Sequence, residues 1–404
     1  MQPSQHVFDP REGYDAAGRM APKPYDALLL ASFGGPEGQE DVIPFLRNVT
    51  AGRGIPDERL EEVATHYRAN GGISPINAQN RALKAAIEAE LAARGLALPV
   101  YWGNRNWAPY IQPTLRQIHA DGHRRVLMFS TSAYSGYSSC RQYREDLGVG
   151  LRETGLEGKL EVDKVRQYFD HPGFVAPFAE GLAAGLADVR AQLAAAGDPE
   201  GPIRIVFTTH SIPTSDAEAA GPRALAAELE TDVYSAQHLS VARAILARVP
   251  EAEGLEWSLV FQSRSGAPHV PWLEPDINDA LAGYAEAGTR GAVVVPIGFV
   301  SDHMEVVWDL DTEARQTCAD LGLAFHRVPT PGTHAAFVRG IVDMVCERLA
   351  GPDGSALLQG RATEAELGPW FDVCRANCCV KVMRDGTARP TIAAVDSEVG
   401  VPQA

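Results

Sequence analysis

Residues 291–314 read GAVVVPIGFVSDHMEVVWDLDTEA. The opening run is short, apolar and rich in valine, and it is broken by Pro296 and Gly298. Such a run is a strand covered on both faces, as in a parallel sheet wrapped by helices. The period then changes. Val306, Val307 and Leu310 fall at helical spacing, so residues from about Met304 to Cys318 are predicted to form a helix after a polar loop.

The alternation extends in both directions. IRIVFTT (203–209), EWSLVFQS (256–263) and LAFHRV (323–328) are further strand-like runs, and YDALLLASF, LPVYWGN, RRVLMFST and LEVDKV form an earlier series. Segments between them, such as NAQNRALKAAIEAELAARG and EPDINDALAGYAEAG, carry apolar residues at helical spacing. The pattern predicts an α/β protein with two similar doubly wound parallel-sheet (Rossmann-like) domains. The expected boundaries are a flexible tail over 1–24, an N-terminal α/β domain over 25–170, a C-terminal α/β domain over 171–350, and a short cysteine-bearing extension over 351–404. No sequence repeat relates the two halves.

The 404 residues suffice for two domains with real cores, and 45% are apolar. A formal net charge of −16 without a basic cluster argues against nucleic acid and against a polybasic membrane contact. No stretch of about eighteen apolar residues exists to span a bilayer. The N-terminal MQPSQHVFDPREGYDAAGRMAPKP lacks the apolar core of an export signal. The expectation is a cytoplasmic monomer. Of six cysteines, Cys140, Cys318 and Cys346 stand alone, while Cys374, Cys378 and Cys379 fall within six residues. In a reducing compartment that clustering favours a metal or iron–sulfur site over disulfides.

Ligands in doubly wound folds collect at the carboxyl ends of the strands. Three loops there are conspicuous: SFGGPEG, THSIPTSDA and GFVSDHMEVVWDLDTEA. The last packs five carboxylates and a histidine between Phe299 and Glu313. On a helix Glu305, Asp309 and Glu313 would share one stripe, where like charges cost roughly 0.2–0.5 kcal/mol per pair. A divalent cation such as Fe2+ reverses that sign. The other reading is a solvated acidic face over an apolar one. His210 ends an apolar strand, where it can accept a proton, ligate a metal or serve as a hydrogen-bonded structural residue. Two strand-end loops bringing histidine and acids to one cleft favour chemistry.

Six motifs in order, LLLASFGGPE, HYRANGGISPIN, YWGNRNWAPYI, FTTHSIP, FQSRSGAPHVPWLEPD and PIGFVSDHMEVVWDLD, make the chain resemble the ferrochelatases from about Ala27 to Leu349. These enzymes insert Fe2+ into a porphyrin held between two lobes. The resemblance implies that His210 and Glu305 face each other across the porphyrin cleft, and that Asp309 and Glu313 continue as a path for metal or protons. It implies that Tyr67 and Ser74 contact the macrocycle's propionates. Phe33 can wall the pocket, and Trp107 and Trp272 are expected to line the apolar cleft, core packing being the other reading for these two. Phe33 stands where many bacterial members carry a tyrosine proposed to touch metal, and a phenyl ring cannot ligate iron. Similarity to cluster-bearing microbial members adds Cys140 to Cys374, Cys378 and Cys379 as ligands of a [2Fe–2S] cluster, zinc on the same thiols being the alternative. Cys318 and Cys346 read as packing residues.

The polar Arg47, Asn48, Thr50 and Arg53 near the expected cleft mouth, and the likeness to actinobacterial members, point to coproporphyrin III as the porphyrin. Protoporphyrin IX is the alternative. A non-catalytic tetrapyrrole- or metal-binding protein, and a cobalt or nickel chelatase, are the other readings.

Overall fold

The computed structural model describes residues 15, 18–52, 54–266, 269–374, 378–381 and 389–393. Most of the expected tail, Arg53 and much of the far C-terminus lie outside them.

The apolar runs form eight strands in two parallel sheets. The first contains β1 (Ala27–Ser32), β2 (Val100–Asn104), β3 (Arg125–Ser130) and β4 (Glu161–Lys164), in the order β2-β1-β3-β4. The second contains β5 (Ile203–His210), β6 (Glu256–Gln262), β7 (Gly291–Val295) and β8 (Ala324–Arg327), in the order β6-β5-β7-β8. Strand for strand the two orders are the same, so the pseudo-symmetry that no sequence repeat displays is present in the topology. In each sheet the order reverses between the first and third strands, β1/β3 and β5/β7, and the crevice for a ligand opens at that switch point.

Nine helices matter to the packing: α1 (Val42–Val49), α2 (Asp57–Ala69), α3 (Ile76–Ala93), α4 (Ile111–Ala120), α5 (Gln142–Thr154), α6 (Pro172–Ala195), α7 (Val233–Ala247), α8 (Ile277–Glu286) and α9 (Ala335–Arg348). Local chemistry starts several of them. His171 accepts from the Gly173 amide ahead of α6, Asp232 from Ser235 in α7, and Asp276 from Asn278 in α8. Between the sheets, α3, α6, α7 and α9 bury Leu83, Phe174, Val241 and Ile341 against Leu28 and Phe129 of one sheet and Ile205 and Val293 of the other. One apolar core therefore runs unbroken from sheet to sheet. The outer faces are covered by α4 and α5 on the first sheet and by α8 and residues 306–318 on the second. No helix among the described residues is long and apolar enough to cross a membrane.

The expected helix from Met304 differs in one respect. Met304–Val306 and Arg315–Asp320 are α-helical, but Val307–Ala314 between them is a π-helix. The Arg315 amide reaches back five residues to the Leu310 carbonyl. A second π turn, Tyr137–Arg141, precedes α5. Such turns are uncommon and often mark functional positions; here one carries Asp309 and Glu313, and the other Cys140.

Candidate active site

His210 is the last residue of β5, at the switch point of the second sheet. Its Nδ1 donates to the Ser211 carbonyl, and Nε2 lies 3.6 Å from Glu305 Oε2. His303, at the start of the following helix, sets its Nδ1 3.8 Å from the same oxygen. Two imidazoles thus flank one carboxylate. His210 and Glu305 keep solvent contact, with side chains 32% and 49% exposed.

Burial alone would push His210 down, but the hydrogen bond and charge of Glu305, with the Ser211 carbonyl and Asp309, raise it above its ordinary value. Burial opposes ionisation of Glu305, yet the His210 hydrogen bond and the charges of His210 and His303 bring it down to about 2. His303 moves down, because burial outweighs Glu305. Asp309 is pushed up to about 7, first by burial and then by the Glu305 charge, against the hydrogen bond from Ser263. Gln262, at the end of β6, donates to the Glu305 carbonyl at 3.4 Å and to Asp309 Oδ2 at 3.3 Å.

A buried network fixes the end of β5. Tyr234 donates to the His210 carbonyl at 2.9 Å, and Thr209 Oγ1 lies 2.8 Å from Tyr234 Oη and 2.9 Å from His238 Nε2. His238 donates through Nδ1 to the Tyr234 carbonyl at 2.7 Å, and burial brings its pKa down to about 3, so its neutral Nε2 accepts from Thr209. Gly298 lies against this network. A Cβ there would come 2.1 Å from Thr209 Oγ1, so only glycine lets the loop after β7 close on β5.

The five acids separate into two groups. Arg327 pairs with Asp302 at 3.1 Å and with Asp311 at 2.5 Å, so these two carboxylates tie the helix to β8. Glu305, Asp309 and Glu313 remain for the cleft side. Trp308 Nε1 donates to Glu313 at 2.8 Å, a pairing five residues apart that the π turn places side by side. Trp308 in turn stacks on His66 of α2 at 4.2 Å and 8°, joining the two lobes.

An aromatic wall faces this set. Phe45 is the hub, with Phe33 at 6.3 Å, Tyr67 at 5.8 Å and Trp107 at 6.2 Å between ring centres. Phe33 is exposed, and Tyr67 is buried beside Met304. The Tyr67 hydroxyl is raised by burial and then by the charges of Glu305 and Asp309. Ser74 is buried, its amide donating to the Pro36 carbonyl at 2.9 Å, and Gly35 leaves it room. Trp272 bridges to Pro213 just beyond His210, and its indole N–H finds no partner among the described residues. At the mouth, Arg47 pairs with Asp57, Asn48 donates to the Asn106 carbonyl and to Tyr110, and Thr50 donates to Leu46. These three side chains bond within the protein.

Cys140, Cys374, Cys378 and Cys379 are all buried and converge. Cys374 neighbours Cys140 and Cys378, and the Cys378 and Cys379 sulfurs are 3.7 Å apart. The Gly221 amide donates to Cys379 Sγ at 3.1 Å. Among the described residues no three His, Cys, Asp or Glu side chains stand ready-placed around a common metal position. The surroundings nevertheless fit a metal-thiolate group. Four thiolates holding a dicationic centre carry a net charge of two minus, and two buried cations, Lys164 and Arg144, act on these thiols. Cys318 lies instead in the core beneath the acidic helix, and Cys346 on α9.

The sequence counted His303 with the five acids but gave it no role of its own, and it did not single out Ser263, His238 or Arg105. His303 stood two residues from Glu305 as a visible signal, whereas the others acquire meaning only from distant partners. Arg105 touches the Phe33 ring at 5.8 Å and donates to Ser138 in the π turn of Cys140, linking wall to cysteines.

The two-lobed parallel α/β scaffold carries a histidine–carboxylate pair at a switch point, and its relatives make this chain a metal chelatase. The chain belongs to the ferrochelatase family, whose model, described as "Ferrochelatase", matches residues 25–349. It is 58% identical over 365 residues to the coproporphyrin III ferrochelatase of Leifsonia xyli, covering 89% of this chain and 92% of that one. It is 53% identical to the coproporphyrin III ferrochelatase of Streptomyces griseus, over 89% and 94% of the two chains. For the Streptomyces coelicolor enzyme of that name the identity is 50%, over 93% and 97%.

Proposed function

We propose that this chain inserts Fe2+ into coproporphyrin III to give coproheme in haem biosynthesis. The observation that carries the chelatase reading is His210 Nε2 standing 3.6 Å from Glu305 beside an aromatic wall. The porphyrin is supported by relatives 50–58% identical over about nine-tenths of the chain that are coproporphyrin III ferrochelatases.

Metallation joins one Fe2+ to the macrocycle and releases two pyrrole protons. In this reading His210 accepts a proton at Nε2 and Glu305 is its partner for the proton or the incoming iron. Asp309, poised near pH 7, and Glu313 pass protons or metal along the helix. Phe33, Tyr67, Ser74, Trp107 and Trp272 hold the ring. The lobes 25–170 and 171–350 act as halves of one body. A monomer in a reducing cytoplasm, which suits six cysteines without a disulfide among them, completes this reading.

The extension 351–404 supplies three of four ligands to a [2Fe–2S] cluster on Cys140, Cys374, Cys378 and Cys379, supported by their convergence and by buried Lys164 and Arg144. Such a cluster would add a redox-active group there. Zinc on the same thiols is the second reading, since the same charge balance suits it. Anaerobic protein should contain about two iron and two sulfide per chain; stoichiometric zinc without sulfide selects the alternative. Comparing kcat/KM for coproporphyrin III and protoporphyrin IX with Fe2+, without detergent, tests the substrate. A preference for protoporphyrin IX overturns the assignment.

A further inference from the structure

Residues 389–393 return to the body of the protein and lie against α5 beside the cysteines. Arg144, four residues after Cys140, holds this segment twice through one residue: its Nε donates to the Ile392 carbonyl at 3.0 Å, and its own carbonyl accepts from the Ile392 amide at 3.3 Å. Its Nη2 donates to Thr391 Oγ1 at 3.1 Å. The segment in turn holds a thiol-bearing residue, since the Cys374 amide donates to the Ala393 carbonyl at 2.9 Å. The Ile392 side chain is buried in the same apolar cluster as Leu147 and Leu151. Gly148, one turn beyond Arg144, makes the close approach: a Cβ there would stand 2.4 Å from the Pro390 carbonyl oxygen.

We propose that residues 389–393 form a strap that seals the cysteine chamber and sets how long a thiolate-bound metal group survives in it. The strap reaches Cys374 through its backbone and α5 through Arg144, so displacing it uncovers the sulfurs without altering any ligand. A metal-thiolate group is lost when chelator or oxidant gains access to it, and the shell around the site governs that access. The Gly148 contact shows how the strap can be lifted: one methyl group on α5 cannot coexist with the Pro390 carbonyl where it lies.

The proposal rests on the reading of the four thiols as one ligand set, and the test separates the two. Full-length protein, Gly148→Ala, and a chain ending at residue 388 are purified anaerobically and their iron, zinc and sulfide contents measured. Each is then exposed to excess bathophenanthroline or EDTA. Both altered proteins should begin with the wild-type metal content and lose it at least tenfold faster. On protein stripped of metal, Cys374 should react with iodoacetamide at least tenfold faster in both, while Cys318, buried elsewhere, should react at the wild-type rate. Unchanged Cys374 labelling overturns the strap, as does a parallel rise at Cys318, which would mean general loosening. If the wild type carries neither iron nor zinc, the ligand-set reading fails, and the labelling arm still decides whether the strap seals the chamber.

Discussion

The two sheets have one topology and two different uses of it. At the switch point of the second sheet, the strand ends deliver His210 and, through the short α-helical turn and the π-helical segment after β7, Glu305 and Asp309 into a cleft open to solvent. At that of the first sheet, the loop after β1 carries Phe33, and the loop after β3 leads through another π turn to Cys140, which is buried beside Cys374. The difference is access to water. In the proposed reaction the first of these sites exchanges protons and iron and needs a solvated exit, and there Glu305 is held down to about 2 while Asp309 is pushed up to about 7. If the four thiols hold a group as proposed, exclusion of water favours them, with the buried cations Lys164 and Arg144 balancing the charge.

The sharpest way to break this comparison is at the open site. His210→Ala and Glu305→Gln should each lower Fe2+ insertion by about a hundredfold to ten-thousandfold, the usual contribution of a positioned proton-transfer group. Fluorescence quenching should show porphyrin binding within about tenfold of wild type, because burial of the ring is a separate free energy. Retained turnover in either variant removes that residue from the mechanism.

At the closed site, Cys374→Ser should abolish the metal content measured by elemental analysis, while Cys318→Ser should leave it intact. Equal loss from both would dissolve the distinction between ligand and packing cysteines.

The pH dependence sharpens the electrostatic side. His210 must be neutral to accept a proton and its pKa is raised, so the insertion rate should climb with pH along a limb above 6.5. Stability has its own sign. Asp309 is raised from 3.8 to about 7, so in that window the folded state holds a proton that the unfolded state has released, and stability falls as pH rises through it. Glu305, lowered from 4.5 to about 2, contributes stability above 4.5 that is lost as pH falls toward 2. Asp309→Asn should therefore melt a few degrees above wild type at pH 8, with little difference at pH 4. A difference independent of pH would show that Asp309 does not titrate there.

The smallest effects are expected outside the His210–Glu305 pair. Asp309→Asn should slow insertion less than Glu305→Gln, and Phe33→Leu should change kcat/KM by only about tenfold, because both act away from the His210–Glu305 pair. A loss as large as that of His210→Ala would move the chemistry onto the wall.

The sequence by itself determined the α/β alternation, because strand and helix periods are local properties of the chain. It also located His210 and Glu305, each following an apolar strand whose carboxyl end must face a crevice. It exposed Cys374, Cys378 and Cys379 by proximity, while Cys140 came only from family resemblance. Helical spacing set Glu305, Asp309 and Glu313 apart from Asp302 and Asp311, but it could not show what holds those two, because their partner, Arg327, lies on another strand. Nor could it show the π turn, whose hydrogen bonds shift by one residue without a distinctive composition. The role of His238 depends on Thr209 and Tyr234, and the strap depends on Gly148 meeting Pro390. These are contacts between residues far apart in the chain, and only the packing of two sheets and a returning C-terminal segment around a shared core decides which of them meet.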